Sequence, residues 1–367
     1  MSSTISGGDN GNVPAVSDHP IRSGVGTSTI SSTRLGSLAR NAILVAVAIE
    51  ILVFGLLADG FMTASNLRVV LLQSAVVAML VVPSAIILMA GYVDLSIGSI
   101  VGLSAVAFGQ VFTATGSVAA GVVAALAVGL TMGSVNGYLS AFLGFSPIVV
   151  TLGTLAAARG LALVITGGKS SSRFGDTFAL LGRGQVRFLG VGLEIPLPVL
   201  VASAVFVIGG IFLYQTLWGR HVVALGANPT AAFHSGIRIE LLPFLLYVIT
   251  GLIAAVAALT LAARLNSVPP TMGEGLEIDV LTAVLLGGVA FGGGRGTLLG
   301  VAGGVLFIAI LGNGLVIAGA SPFWVRVSSG LALLAAAGLD AVGRAWMNRS
   351  TGGTALTGRR LSVGRRT

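Results

Sequence analysis

Few residues in this sequence are of a type that could carry chemistry, and several acidic ones interrupt long apolar stretches. Glu50, Asp94 and Asp279 stand among apolar and small residues, where an ionised carboxylate is costly inside a bilayer. The chain has no cysteine, and its three histidines lack the spacing of metal ligands. Neither a nucleophile elbow nor a complete phosphate-binding loop occurs. The sequence therefore predicts no catalytic residue and no metal site.

Small polar residues lie where the apolar stretches are broken or begin. Asp94 and Ser96 belong to a glycine-containing segment between two apolar runs. One interpretation of this segment is a broken helix beside a permeation path, with Asp94 capping the next helix. The other is an ordinary loop that ends in a helix N-cap. Thr151 and Thr154 share one face of a helix that Pro147 opens, and their hydroxyls suit either a hydroxylated solute or interhelical hydrogen bonds. The predicted substrate-path residues are Asp94, Ser96, Asn136, Pro147, Thr151, Thr154, Asp279 and Asn313.

Two further ionisable residues within apolar segments need partners of their own. Arg159 lies deep enough in its segment to require a carboxylate or a carbonyl oxygen. Glu50 lies near the middle of the first segment. It is expected to be protonated or to have a polar partner. Its role is either to pack against another helix or to take part in transport.

One loop, residues 218–239, carries the start and stop signals of a short helix. Asn228 is a helix-capping residue type, Pro229 suits the first helical position, and Gly236 can end the helix. The pattern predicts a helix over 229–235 that faces the cytoplasm. A bare connector would not need such signals, so docking to a cytoplasmic partner is the favoured function of this loop.

The overall composition places these residues in a membrane protein. Of 367 residues, 9% are charged and 55% are hydrophobic, with a mean hydropathy of +1.00, whereas a soluble domain carries roughly 25% charged residues. An ordinary soluble enzyme is excluded because so few polar groups could not cover its surface. Apolar segments near the ~20 residues that a bilayer requires predict an all-α polytopic fold, and the short eighth segment suggests a broken or partly re-entrant element. The ten segments are 38–58, 67–90, 97–115, 118–141, 147–166, 196–217, 241–263, 279–291, 297–318 and 322–340.

The positions of the basic residues predict the orientation of these helices. With a cytoplasmic N-terminus, twelve of the 20 Lys and Arg residues fall on the inner side and six on the outer side, in keeping with the positive-inside rule. The outer loop 167–195 opposes this assignment because it carries four of those six. The net charge of +8 thus reflects topology and does not indicate nucleic-acid binding. We expect a disordered cytoplasmic tail at 1–36, a membrane domain at 37–340, and a basic cytoplasmic tail at 341–367 near anionic lipid headgroups.

Five short matches recur in the same order in the two halves of the chain. Each set spans three predicted helices, the third to fifth and the eighth to tenth. Each helix of the second set comes five helices after its counterpart in the first, an odd number, so the two copies would have opposite orientations, as in the inverted repeats of transporters. Chance similarity among glycine- and alanine-rich segments is the alternative. Asp94, 107–109, 116–117, 136–137 and 146–147 correspond to Asp279, 290–292, 296–297, 313–314 and 321–322.

Taken together, these motifs resemble a known family. The segment Gly91-Tyr92-Val93-Asp94-Leu95-Ser96-Ile97-Gly98-Ser99 is similar to the signature of bacterial ABC permeases that import ribose, xylose, arabinose and galactosides. Later blocks of the family are matched in order by residues 136–137, 147–154, 159–160, 166–168, 219–237, 286–288, 293–296 and 313–314. The resemblance covers residues 38–340. Tyr92 departs from the family, which usually has glycine there, and this leaves the solute open.

The resemblance implies the permease subunit of an ATP-driven importer in the bacterial inner membrane, built from two identical or paralogous copies of ten helices each. It implies an ABC ATPase subunit, often a tandem one, that binds ATP and Mg²⁺. It also implies a periplasmic or lipid-anchored sugar-binding protein that selects the solute. The permease itself then holds no cofactor and needs no catalytic residue. The residues that the resemblance assigns to ATPase coupling are Arg220, Gly226, Asn228, Pro229, Ala231, Ala232, Ser235 and Gly236.

The expected function is therefore translocation of a monosaccharide, a pentose or a hexose. Two alternatives stay open. One is the same class of importer with a nucleoside, a polyol or another small polar solute. The other is a stand-alone secondary transporter or channel, which would share the composition, the repeat and the broken helices.

Overall fold

The fold is almost entirely helical. The computed structural model describes residues 29–188 and 193–352. Within this part of the chain, thirteen α-helices form, and eight helical segments are long and apolar enough to cross a membrane. The helices are α1 (Thr29–Leu57), α2 (Ala64–Met89), α3 (Ile97–Thr115), α4 (Val118–Gly137, followed by a π-helical turn at Tyr138–Phe142), α5 (Pro147–Thr166), α6 (Asp176–Arg183), α7 (Leu197–Gln215), α8 (Leu217–Ala227), α9 (Pro229–His234), α10 (Leu241–Leu265), α11 (Leu276–Leu286), α12 (Leu298–Ile317) and α13 (Pro322–Gly352).

Each of the ten apolar segments predicted from the sequence overlaps a helix, at α1 to α5, α7 and α10 to α13, although the eighth segment, 279–291, extends five residues past the end of α11. Two of these helices fall short of a full apolar span. The apolar part of α1 is Ala42–Leu57. The 11 residues of α11 extend about 16 Å at 1.5 Å per residue, whereas a bilayer core is about 30 Å thick. A short element was predicted at this position, and α11 alone does not cross a membrane.

Two helices extend beyond the predicted membrane domain. α1 begins at Thr29, so the prediction of a disordered tail is wrong for residues 29–36. α13 continues to Gly352, into the predicted basic tail. The extension of α1 includes Arg34 and Leu35, and that of α13 includes two Ala and two Arg residues. These residue types favour helix, and lengthening an existing helix needs no new nucleus. The remaining parts of the two tails, 1–28 and 353–367, lie outside the described residues.

Two small antiparallel sheets, which the sequence did not predict, add strands to the otherwise α-helical architecture. β1 (Ser171–Ser172) pairs with β4 (Ser267–Val268) and joins the loop after α5 to the loop after α10. β2 (Gln185–Phe188) and β3 (Leu193–Pro196) form a hairpin. Strands of two to four residues are too short to show the alternation of apolar and polar residues by which a strand is identified.

Hydroxyl side chains cap several helices. The Thr63 hydroxyl accepts from the Asn66 N–H at 3.3 Å at the start of α2. Ser117 and Thr297 cap α4 and α12 in the same way, with donor distances of 3.2 and 3.1 Å. Gly116, with φ 67°, ends α3, because glycine adopts the left-handed conformation without a steric penalty. These local signals explain why the helix limits agree closely with the sequence pattern.

The core forms where α2, α3, α4 and α10 meet. Gly129 and Gly133 of α4 lie against the backbone of α10, so that a Cβ added to either would collide with the carbonyl oxygen of Gly251 or Tyr247. Lipid offers no hydrophobic driving force for association between membrane helices, and close packing of small residues is what holds them together. The α4–α10 contact is therefore a backbone-to-backbone interface.

Two breaks in the helices meet beside this core. The first break separates α2 from α3, and the second separates α10 from α11. Gly98 and Gly102 of α3 face the backbone oxygens of Gly273 and Met272 in the second break, so α3 and α11 begin side by side. The helices that follow pack across the two halves of the chain. α4, from the first half, packs against α10 as well as α3, and α12, from the second half, packs against α2 as well as α11.

Candidate functional site

The first break holds a chain of buried hydrogen bonds. Asp94 is 7% exposed, and its Oδ1 accepts from the Ser96 N–H at 2.9 Å and from the Ser96 hydroxyl at 2.6 Å. The Ser96 hydroxyl in turn accepts from Nδ2 of Asn136, on α4, at 2.7 Å. Three of the predicted path residues therefore form one cluster. The predicted capping role of Asp94 is wrong, because it bonds the residue before α3 and a cap would bond the second or third N–H of the helix.

Two tyrosines enclose this cluster. Tyr247 of α10 is fully buried, and its hydroxyl donates to the Val93 carbonyl at 2.8 Å. Its ring meets that of Tyr92 edge-on, with ring centroids 6.2 Å apart. Tyr92, the departure from the family signature, thus packs on the side chain that holds the break. The π-helical turn of α4 begins just after Asn136, and such turns are frequent at functional sites.

Arg159 of α5 contacts a carboxylate, as its depth in an apolar segment predicted. Its Nη2 lies 3.6 Å from Oε1 of Glu277, in the first turn of α11. This contact connects α5 to the beginning of α11. Separating the two helices would be costly because each charge of a largely buried pair would then be left uncompensated. Sequence reasoning missed Glu277, although an acid two positions before Asp279 in an apolar region was a visible signal.

The hydroxyls predicted on α5 are directed at their own helix. Thr151 is buried and donates to the Pro147 carbonyl at 2.8 Å, and Thr154 donates to the Thr151 carbonyl at 3.2 Å. These bonds stand in place of the interhelical hydrogen bonds that were the alternative interpretation. Pro147 occupies the first position of α5, as predicted. Contact of these side chains with a solute stays a prediction.

Asp279 and Asn313 lie apart from the cluster in the first break. Asp279 is beside Ser329 and Arg326 of α13. Asn313 exchanges two hydrogen bonds of 2.9 Å with Asn66, in the first turn of α2. The predicted path residues are therefore distributed over four places in the fold, and the structure brings only Asp94, Ser96 and Asn136 together.

The short helix predicted in the loop between α7 and α10 is present as α9. Oδ1 of Asn228 accepts from the Ala231 N–H at 3.0 Å, and Gly236, with φ 81°, follows the end of the helix. Ala231 is exposed, whereas Ala232 is only 3% exposed, so the two alanines do not share one surface. Phe233, which sequence reasoning missed, is 60% exposed. The other predicted coupling residues on the surface are Arg220, Asn228, Pro229, Ser235 and Gly236.

Backbone contacts join this loop to the end of α2. Gly226 of α8 lies so close to the Met89 carbonyl and the Gly294 N–H that a side chain there would collide with both. The Gly294 N–H donates to the Met89 carbonyl at 2.8 Å, and Gly293, with φ 79°, lies against Gly91. Gly91, Gly226, Gly293 and Gly294 are called the glycine junction below. It connects α8 to the first residues of the break that holds the buried cluster.

The loop between α5 and α7 carries an exposed ion pair between Arg187 and Glu194 on the β2–β3 hairpin. The hydrogen bond from Arg187, together with its charge, lowers the pKa of the Glu194 carboxyl, and the same contact raises the pKa of the Arg187 guanidinium. In the same loop, Nε of Arg183 donates to the Arg264 carbonyl at 2.8 Å. Two of the four basic residues that oppose the predicted orientation are thus engaged in local contacts.

Comparison with known proteins shows that this sequence is similar to those of transport permeases. The family described as branched-chain amino acid transport system / permease component matches residues 66–337. The ribose import permease protein of Bacillus subtilis is 34% identical over 300 residues, which are 80% of this chain and 89% of the relative. The D-allose transport system permease protein of Escherichia coli is 30% identical over 295 residues, 80% and 89% of the two chains. The L-arabinose ABC transporter permease protein of Azospirillum brasilense is 31% identical over 297 residues, 81% and 86% of the two chains. No solved structure gives a significant match.

Proposed function

The chain belongs to the branched-chain amino acid transport system / permease component family, and on that premise we propose that it is the permease subunit of an ATP-driven monosaccharide importer. It is a multi-pass membrane protein, and we place it in the bacterial inner membrane. The relatives named for ribose, D-allose and L-arabinose support a pentose or a hexose as the solute, in preference to the amino acids of the family's description.

One observation carries the proposal: an exposed helix is connected by backbone contacts to the buried break. α9 presents Phe233 to solvent, and the glycine junction links α8, which precedes it, to Gly91 and so to Asp94. Contacts between backbones have no rotamers that could absorb a displacement, so a movement of α8 is passed to the break. A stand-alone transporter or channel has no need of such a connection to an exposed helix.

The proposed partners follow from these surfaces. α9 docks on an ABC ATPase subunit with tandem nucleotide-binding domains, and that subunit binds ATP and Mg²⁺. The permease is then non-catalytic and holds no cofactor. A periplasmic or lipid-anchored sugar-binding protein delivers the solute to the outer loop between α5 and α7. A second copy of the permease, or a paralogue, completes the path beside α5, whose residues Val149, Leu152 and Val164 are exposed.

We further propose that the ten predicted segments lie in the membrane with both termini cytoplasmic, and that α3 to α5 and α11 to α13 are inverted copies. The exchange of helix partners supports the repeat, since α4 packs on α10 of the other half and α12 packs on α2. Ser117 and Thr297 cap corresponding helices. Pro147 is the first residue of α5 and Pro322 is the first residue of α13, the helices that follow α4 and α12.

Reconstitution tests the proposed function. Proteoliposomes that contain the full chain, its ATPase and its binding protein are expected to accumulate radiolabelled ribose only when ATP is supplied to the ATPase. The same preparation with a hydrolysis-deficient ATPase is the control. Solute movement by the chain in the absence of any ATPase would assign it to the stand-alone transporters instead.

The identity of the solute is tested on the binding protein that partners the chain. A screen against pentoses, hexoses, polyols and nucleosides is expected to select one monosaccharide. Selection of a nucleoside or a polyol would keep the importer class and replace the monosaccharide.

A further inference from the structure

A small cavity lies between α2, the first break and α11. Its volume of about 10 Å³ is close to that of one water-sized sphere, and it is much too small for a sugar. Most of its wall is apolar, formed by residues such as Leu88 and Val284. The polar residues that line it are Ser84, Asp94 and Glu277. They come from three separate segments of the chain.

Each of these three side chains presents a buried oxygen that has no hydrogen-bond partner. The atoms are Oγ of Ser84, Oδ2 of Asp94 and Oε2 of Glu277. Buried polar atoms in folded proteins almost always have partners, and leaving one unpaired costs about 1–3 kcal/mol. Three unpaired oxygens on the wall of one cavity therefore indicate a site for a ligand that binds oxygen.

The surrounding charges indicate that this ligand is positive. Glu277 forms an ion pair with Arg159 of α5, with Oε1 and Nη2 3.6 Å apart. Asp94 receives its hydrogen bonds from Ser96, which is neutral. One guanidinium group thus faces the two carboxylates that line the cavity, Asp94 and Glu277, and one negative charge is unbalanced when both are ionised. The other titratable groups near Asp94 are Tyr92 and Tyr247.

We propose that this cavity binds one small cation through Ser84, Asp94 and Glu277. An all-oxygen set suits a hard ion and disfavours a transition metal, and one unbalanced charge calls for a single positive one. A sodium ion and a proton carried on a water molecule share this chemistry. The bound cation connects α2, the first break and α11, so it stabilises the contact between the two halves of the chain. Asp94 is also one of the predicted path residues, but this proposal does not depend on the proposed import of a sugar.

Thermal unfolding of the full chain in lipid nanodiscs tests the site. The variables are sodium chloride against choline chloride at constant ionic strength, and pH. For a sodium site, the Tm rises by about 2 °C for each tenfold increase in sodium above the Kd. For a proton site, the Tm is insensitive to sodium and falls as pH rises, because the folded state loses its proton. In both cases Asp94→Asn removes the response.

Two serine variants provide a matched comparison that does not depend on the folding of Asp94→Asn. Ser84→Ala is expected to shift the cation or pH response several-fold to higher cation concentration. Ser104→Ala, at a buried serine of α3 outside the cavity lining, leaves the response unchanged. A Tm that is the same in sodium and choline, with a pH dependence shared by the native chain and Ser84→Ala, overturns the proposal. The readout is unfolding, so the result is independent of whether the chain imports a sugar.

Discussion

At the scale of single residues, Asp94 is occupied by its own segment. Its Oδ1 accepts both hydrogen bonds from Ser96, and its Oδ2 is buried at the small cavity. A monosaccharide passing this point would meet the carboxylate only if the break rearranged. In the described conformation Asp94 orders the break, and contact with solute would require the displacement that we propose the glycine junction to transmit.

Thr151→Val is expected to lower solute uptake without loss of expression. Valine keeps the shape of threonine, and the hydroxyl that it removes bonds a carbonyl of the same helix, so the stability change should stay within about 0.5 kcal/mol. The initial rate of ATP-dependent uptake in proteoliposomes measures the effect.

The matched control is Thr260→Val on α10. Thr260 is also buried, and its hydroxyl donates to the Val256 carbonyl at 2.9 Å in the same geometry, but it is outside the predicted path. Its substitution should leave uptake unchanged. Native uptake by Thr151→Val would remove this hydroxyl from the solute path.

The need for a partner could be read from single residues, but the identity of the partner could not. The depth of Arg159 in an apolar segment predicted a carboxylate or carbonyl, yet Glu277 belongs to a helix far along the chain. Asn313 was selected by its place in the repeat, and its hydrogen-bond partner Asn66 is 247 residues away. Such contacts depend on how helices are arranged in space, which a local pattern does not contain.

At the scale of elements, α9 could be predicted almost completely because its signals are local. Asn228, Pro229 and Gly236 act on the backbone within one turn of themselves. The glycine junction could not be predicted in this way, since Gly226 and Gly294 become neighbours only in the folded chain. The surface of α9 also depends on the fold, which buries Ala232 and exposes Phe233.

Phe233→Ala is expected to weaken binding of the ATPase subunit about tenfold or more, because exposed aromatic side chains are frequent hot spots of interfaces. Affinity of the detergent-purified permease for its ATPase measures the effect. Val223→Ala, at an exposed apolar residue of the neighbouring helix α8, is the control and should bind normally. Equal affinities for the native chain and Phe233→Ala would exclude this side chain from the contact.

Gly251→Leu is expected to prevent correct packing of α4 on α10. An added side chain at Gly251 would collide with the backbone of Gly129, and neither helix can withdraw without opening the core. Yield of monodisperse protein in size-exclusion chromatography measures the effect. Gly210→Leu, in α7 where an added Cβ meets no neighbour, should give native yield. A normal elution profile for Gly251→Leu would contradict the close approach of these helices.

At the scale of the whole molecule, the absence of cysteine from the sequence makes the proposed orientation directly testable. Ser170→Cys, in the loop between α5 and α7, is expected to react with a membrane-impermeant maleimide on intact spheroplasts. Thr230→Cys, on exposed α9, should react only after the membrane is permeabilised. The native chain gives no background labelling. The reverse pattern would invert the topology and place α9 away from any cytoplasmic ATPase.

The length of α11 also constrains how the ribosome and the insertion machinery can build this protein. With 11 residues it has about half of the ~20 that a spanning helix requires, and the acids Glu277 and Asp279 in its first turn make it a poor substrate for insertion. In the proposed topology of ten membrane segments, α12 would enter the bilayer in the opposite direction if α11 were left outside during synthesis. That topology therefore requires the insertion of α11 to wait for α12 to emerge, so that the two enter the membrane together as a helical hairpin.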